Sequence, residues 1–432
     1  MCRGPARRGK HARVAGLNYL PSLRAWFQLG YHMTMETESR EGRRLVRSAL
    51  PWIVAVVALV VYLLTLNHWV SLLNLSQVAG TAGWKGQSEF FTPVYYLVTL
   101  PLRWLPAKWI PLGLNLFSAA CAALTLGQLA RSVALLPHDR TGEQRERERG
   151  EFSLLSIPLA WLPPVMAVLV CGLQLTFWEH GTNGTSEMLD LLMFAYVIRC
   201  LLEYRVEEQE SRLLRAAFVC GAGITNNFAL IGFFPAFLVA LLWLRGLTFF
   251  NSRFLGRMLL CGLAGLSLYL LLPLIASFSK TQPVGFFEAL KFNLLLQKNM
   301  LVFFPKKTLL LLSLTSLVPV LLVAIRWGAY FGDTSQLGMT LARVIFHIVH
   351  AAFLLICLWV MLDPPFSPRN VDFGNPAFKP YCPFLTFYYL GALSVGYFSG
   401  YFLVVFRVLQ TRFRRPSPLA KPFHQAVTES SR

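Results

Sequence analysis

Acidic residues are scarce in this chain of 432 residues: Asp and Glu number 21 against 40 Lys and Arg, and no Asp occurs before Asp139. Charged residues of both signs make up only 14% of the sequence against 55% hydrophobic, which excludes an ordinary soluble domain, where about a quarter of the residues are charged. Absent too are the GxGxxG, P-loop, HExxH and nucleophile-elbow patterns, so nothing in the sequence calls for a cofactor or a metal. The eight cysteines include no CxxC pair. Cys121, Cys171, Cys200, Cys220, Cys261 and Cys357 fall in or beside apolar runs and read as small buried hydrophobes rather than as a disulfide framework.

Long apolar runs dominate, and the mean hydropathy is +0.51. The class that fits is an all-α polytopic membrane protein. About ten spans are expected, at 49–66, 110–136, 158–177, 188–202, 216–225, 228–244, 258–276, 308–325, 344–362 and 384–405, with a large outward loop between the first two. On this layout 30 of the Lys and Arg residues fall on one side and 10 on the other, so the positive-inside bias places both termini in the cytoplasm. Residues 1–48 are a basic tail without the apolar core of a signal peptide, 49–408 the transmembrane domain, and 409–432 a second basic tail. Met35-Glu36-Thr37-Glu38-Ser39 reads like an ordinary start of a chain. No basic face with interleaved aromatics stands apart from the spans, so no nucleic-acid partner is expected.

The organising stretch runs from Trp84 to Leu116. Its apolar core, 94–100, is boxed by Pro93 and Pro101 and is far too short to cross about 30 Å of hydrocarbon. It must lie at the membrane surface, where Trp84, Tyr95, Tyr96, Trp104 and Trp109 suit headgroup depth. Two readings stand side by side: an interfacial connector, or part of a substrate site.

Carboxylates on the expected outer side are few. Glu187 and Asp190, three apart, share a helix face. Glu187 is read as functional and Asp190 as a helix cap favoured by the dipole. His180 beside Glu179 could form an acid–base pair or ligate a metal, but a lone His in a short polar loop is usually neither, and no second His shares its face. Arg103, Lys306, Lys307 and Arg369 are outward cations suited to a lipid phosphate, or to headgroups generally, and Lys85 is a further outward cation. Arg199, near an inner helix end, reads as snorkelling. Asn74-Leu75-Ser76 and Asn183-Gly184-Thr185 match the glycosylation pattern, which arises easily by chance.

Four segments carry a resemblance to a known family. These are Ser88-Glu89-Phe90 with Pro93-Val94-Tyr95-Tyr96-Leu97, Asn115-Leu116-Phe117-Ser118-Ala119, Phe177-Trp178 with Glu187-Met188-Leu189, and Gly223-Ile224-Thr225-Asn226-Asn227 with Pro235-Ala236. They resemble a bacterial family, formerly of unknown function, that is grouped with the transmembrane protein O-mannosyltransferases among GT-C-type membrane glycosyltransferases. The resemblance implies an integral protein of a bacterial inner membrane that takes a sugar from a polyprenyl-phosphate carrier. The acceptor it implies is a protein or glycan hydroxyl on the outer face. By that likeness Glu89 is the base and Glu187 the second acidic site. Lys85, Tyr95, Tyr96, Arg103, His180, Asn226 and Arg369 are the candidates to contact lipid-linked sugar.

Two departures matter. The family's first loop usually carries Asp where this chain offers only Glu89, and Asn227 stands where the family often has His. They keep open an alternative: a shortened or non-catalytic member that carries, flips or helps assemble lipid-linked sugar. An ion-coupled transporter ranks below both, because the expected spans lack charges at mid-membrane depth.

Overall fold

A computed structural model describes residues 45–84, 92–136, 159–278, 284–303, 336–362 and 384–414. All regular structure among them is helical. A π-helical turn leads into α1 (Leu50–Leu64), followed by two short helices, α2 (Leu75–Thr81) and α3 (Pro93–Thr99). Two 3-10 turns then enter α4 (Ile110–Leu135). Beyond it lie α5 (Leu162–Gly172), α6 (Leu175–Thr182), α7 (Glu187–Glu207) and α8 (Glu210–Asn226). The described chain closes with α9 (Phe234–Arg245), α10 (Ser252–Leu266), α11 (Leu271–Ser277), α12 (Phe286–Phe303), α13 (Gln336–Leu362) and α14 (Phe384–Arg414).

Helix α4 is the axis. Leu114, Ala119, Ala122, Leu126, Leu129, Ala130 and Val133 on it are buried, and the small ones let α1, α5, α6 and α7 pack around it. Gly127 sits where a Cβ would lie 2.8 Å from the Pro51 carbonyl of α1. Helix α14 lies along α5, α13 packs on α14, and α8 is held between α7 and α10.

Three helical stretches among the described residues, 107–135, 252–277 and 385–406, are long and apolar enough to cross a membrane, or four if α5 and α6 form one bent span. Helix α1, at fifteen residues, is about 22 Å long and short for the hydrocarbon. The expected span at 308–325 lies outside the described residues. Apolar surface left uncovered marks the lipid side: Ile53, Val56, Val57 and Val60 of α1, and Leu259, Leu260 and Leu263 of α10, are all exposed. The chain is a helical membrane protein by these helices.

Where a single span is expected at 158–177, the helix breaks after Gly172 and turns by 73°. The freed backbone is satisfied as such a break requires in lipid. The Tyr62 hydroxyl donates to the Gly172 carbonyl at 2.9 Å, and the Gln174 N–H donates to Cys171 O at 3.2 Å. The second half, α6, carries Trp178, Glu179 and His180, so the expected outward loop there is mostly helix.

The proline-boxed stretch behaves as its length dictates. Helix α3 has only seven residues, with Pro93 in its first turn, and Pro101 falls in the 3-10 turn immediately after it. Trp84, Trp104 and Trp109 are exposed as expected. Tyr95 is not: it turns inward and is only 3% exposed, because α3 lies on α8 and its ring packs edge-on against Phe117 of α4, centroids 6.0 Å apart.

Candidate functional site

At one end of the bundle, α3, α7 and α8 converge on Asp190. Its Oδ1 accepts from the Asn226 side-chain amide and its Oδ2 from that of Asn227 at 3.1 Å. The Asn226 Oδ1 in turn accepts the backbone N–H of Tyr95 at 3.0 Å, and the Asn227 Oδ1 accepts that of Ala229 at 3.1 Å. Those two backbone donors fix which way each amide faces, so both must present NH₂ to Asp190. The pocket therefore wants an acceptor at both oxygens, which a carboxylate supplies and an amide does not.

Asp190 does lie in the first turn of α7, as the capping reading expects, but its oxygens serve a second purpose. The side chain is buried at 4% exposure and spends both oxygens on the C-terminal end of α8. Paired neutral amides are what make such burial tolerable.

Glu187 stands one turn earlier, partly buried. The Tyr95 hydroxyl is buried with no hydrogen-bond partner. Its phenol is pushed well above the ordinary range, first by burial and then by the nearby Glu187 carboxylate. The structure thus brings Glu187, Asp190, Tyr95 and Asn226 together, joining three sequence candidates to one that had been set aside.

Other candidates fall around this centre. The Arg103 guanidinium lies 4.1 Å over the Tyr96 ring, a cation–π stack that holds the charge beside α3. His180 Nδ1 lies 2.9 Å from the Thr176 carbonyl one turn back on α6, a local contact of its own helix. Lys85, Glu89, Lys306, Lys307 and Arg369 lie outside the described residues. No group of three His, Cys, Asp or Glu able to hold a metal occurs among the described residues.

Beside the acidic centre is an asparagine cage that sequence reasoning missed. Asn115 of α4 accepts from the Asn74 amide at 2.9 Å and from the Gly184 N–H at 2.6 Å, and donates to the Asn67 carbonyl at 2.6 Å. Asn183 accepts from Asn67 at 2.8 Å and Ser71 at 2.9 Å, and donates to the Glu179 carbonyl at 2.7 Å. Gly184 is pressed so closely on Leu114 that a Cβ there would lie 2.6 Å from that side chain. The cage ties the α1–α2 loop and the α6–α7 loop to α4. It also accounts for both glycosylation triplets, since Asn74 and Asn183 are buried bonding partners. One signal was available: Asn115 is a strong hydrogen-bonding residue inside a mostly apolar span.

At the far end of α7, about 24 Å from Glu187 at 1.5 Å per residue, the chemistry is different. Glu203 is 1% exposed and is met by Arg131 of α4 at 2.6 Å, Arg199 at 2.8 Å and Arg212 of α8 at 2.8 Å. Burial would raise its carboxyl, but the hydrogen bond from Arg199 and the three guanidinium charges outweigh that and hold it below the usual range. Arg199 is therefore an ion-pair partner, not a snorkelling residue. Glu210 likewise takes Arg245 at 2.8 Å and Arg257 at 2.9 Å.

Residues 92–248 match a family model described as the N-terminal domain of protein O-mannosyl-transferase TMEM260. The matched stretch runs from the start of α3 to just beyond α9 and contains Tyr95, Arg103, Glu187, Asp190, Asn226 and Asn227. It covers less than half of the chain and begins after Glu89. No curated protein and no solved structure matches the chain.

Proposed function

We propose that the protein is a membrane glycosyltransferase of the O-mannosyltransferase kind. It moves a sugar from a polyprenyl-phosphate donor to a protein or glycan hydroxyl at the outer face of a GT-C-like bundle of about ten spans, with both termini cytoplasmic. The observation that carries this reading is the coincidence of the family match with the acidic centre: the stretch similar to a mannosyltransferase domain is the one whose helices gather Glu187, Asp190 and Tyr95.

In the reaction the acceptor oxygen attacks the anomeric carbon. The bond from that carbon to the phosphate oxygen breaks, its electron pair leaves with the polyprenyl phosphate, and the acceptor's proton passes to a carboxylate. Glu187 has the properties of that carboxylate, being partly open and free of the amides that occupy Asp190. Glu89, which precedes α3 closely in the sequence, is the second acid proposed for the step. Arg103, stacked on Tyr96, offers a fixed positive charge to the departing phosphate, with Lys85, Arg369, His180 and Tyr96 as further contacts to the lipid-linked sugar.

The test uses the full chain in membranes, polyprenyl-phosphate mannose as donor and a Ser/Thr-containing peptide as acceptor. Glu187→Gln and Glu89→Gln are each expected to slow transfer by about 10²–10⁴-fold, the range for a lost general base, with Glu288→Gln as a control. Transfer at the wild-type rate by both variants overturns the assignment. Binding of lipid-linked sugar by the wild type without any transfer supports the carrier alternative instead.

A further inference from the structure

We propose that Asp190 is a positioning residue for α3, acting through Asn226 to set where the Tyr95 side chain sits relative to Glu187. The inference rests on the glycosyltransferase reading only for what α3 then contacts. The chain of bonds has a direction. Asp190 accepts from the Asn226 amide, Asn226 accepts the Tyr95 N–H, and that N–H lies in the first turn of α3, where a helix has no partner of its own for it. Helix α3 has only seven residues, and this bond ties its first turn to the end of α8. Its other end runs into the 3-10 turn that bears Arg103. A shift at Tyr95 therefore moves the unpaired phenol, the Tyr96–Arg103 stack and the approach to Glu187 together.

The polarity of the chain makes the proposal testable by inversion. In Asp190→Asn one carboxylate oxygen becomes NH₂ and faces a donor, because Asn226 and Asn227 are both held in place by backbone N–H groups. Adding Asn226→Asp restores every pairing. The new amide at 190 accepts from Asn227 and donates to the new carboxylate at 226, whose second oxygen still accepts the Tyr95 N–H.

Hydrogen exchange of the Tyr95 amide reads this in the full chain without reference to activity, and the donor KM and kcat are measured alongside. Asp190→Asn is expected to speed Tyr95 exchange at least about tenfold, the equivalent of one lost buried hydrogen bond, and to raise the donor KM more than it lowers kcat. The double variant is expected to return both to within about threefold of wild type. If Asp190→Asn does not accumulate, recovery of a folded, protected chain by the double variant supports the proposal equally, and failure of that recovery counts against it. Unchanged Tyr95 exchange in Asp190→Asn, or a double variant that exchanges as fast as the single one, overturns the proposal. So does loss of kcat with Tyr95 still protected, which would make Asp190 the reacting base. The expected exchange pattern in a wild type that transfers no sugar would overturn the glycosyltransferase reading and leave the positioning of α3 standing.

Discussion

Glu203→Gln tests whether the arginine end of the bundle is held by one carboxylate. Removing one partner of a buried ion pair costs about 3–5 kcal/mol, because the remaining charge is stranded. Here the three arginine side chains are each 21–25% exposed, so water relieves part of that, and about 2–3 kcal/mol is expected. At about 2–4 °C per kcal/mol for a large domain, the melting temperature of the detergent-solubilised chain should fall by roughly 4–12 °C. Glu207→Gln, which removes one partner of Arg212 at a more open site, should cost less than about 1 kcal/mol. The acid side of the stability profile adds a second measurement. Because the folded carboxyl of Glu203 titrates below its ordinary value, its contribution is present at and above the usual Glu range and disappears as pH falls below it. The Gln variant should show a shallower loss on acidification. A variant that melts with the wild type and shares its acid limb would refute the idea that Glu203 clamps α4, α7 and α8.

Two further outcomes follow from close packing and from the asparagine cage. Gly265→Ala should destabilise by about 1–3 kcal/mol, since its Cβ would meet the backbone of Phe218 and Ala222 on α8. Gly256→Ala on the same helix meets nothing within 4 Å and should stabilise by up to about 1 kcal/mol; thermal melting of the two separates contact from propensity. Expressed where N-glycosylation operates, the chain should carry no glycan at Asn74 or Asn183, so Asn74→Gln and Asn183→Gln should leave its glycosidase-sensitive mass unchanged. A shift in either would contradict the buried cage.

What the sequence discloses depends on whether a feature is local. Helix α4 is local: its expected span at 110–136 differs from the observed Ile110–Leu135 by one residue, because a long, mostly apolar run that opens on Pro106 and Pro111 leaves few alternatives. Helix α7 is half-local. Hydropathy ends it at 202, yet it continues to Glu207, because the charge that halts an apolar run, Glu203, is neutralised by arginines, two of them from other helices. The break between α5 and α6 is hidden, since the hydroxyl that satisfies the freed Gly172 carbonyl belongs to Tyr62, 110 residues earlier. Asp190 shows the same limit. Three residues after Glu187 it looks like a dipole-favoured cap, and only the arrival of Asn226 and Asn227 from the end of the next helix gives it another role.

The two ends of α7 then differ in a way that bears on where acid–base chemistry can occur. Each end buries a carboxylate, and each is met by α8, but the partners are opposite in kind. Glu203 is surrounded by full positive charges, so its proton affinity is low and its oxygens are taken; a group so held accepts a substrate proton poorly. Asp190 is met by neutral amides, which satisfy its oxygens and bring no positive charge to it. Glu187, one turn earlier and partly buried, has none of the guanidiniums that crowd Glu203 around it, so a proton leaving an acceptor hydroxyl meets an available carboxylate at this end and a tied one at the other. On the proposed reading the asparagine-lined end, with the partly open Glu187, is the one placed for proton abstraction, and the arginine end holds helices together.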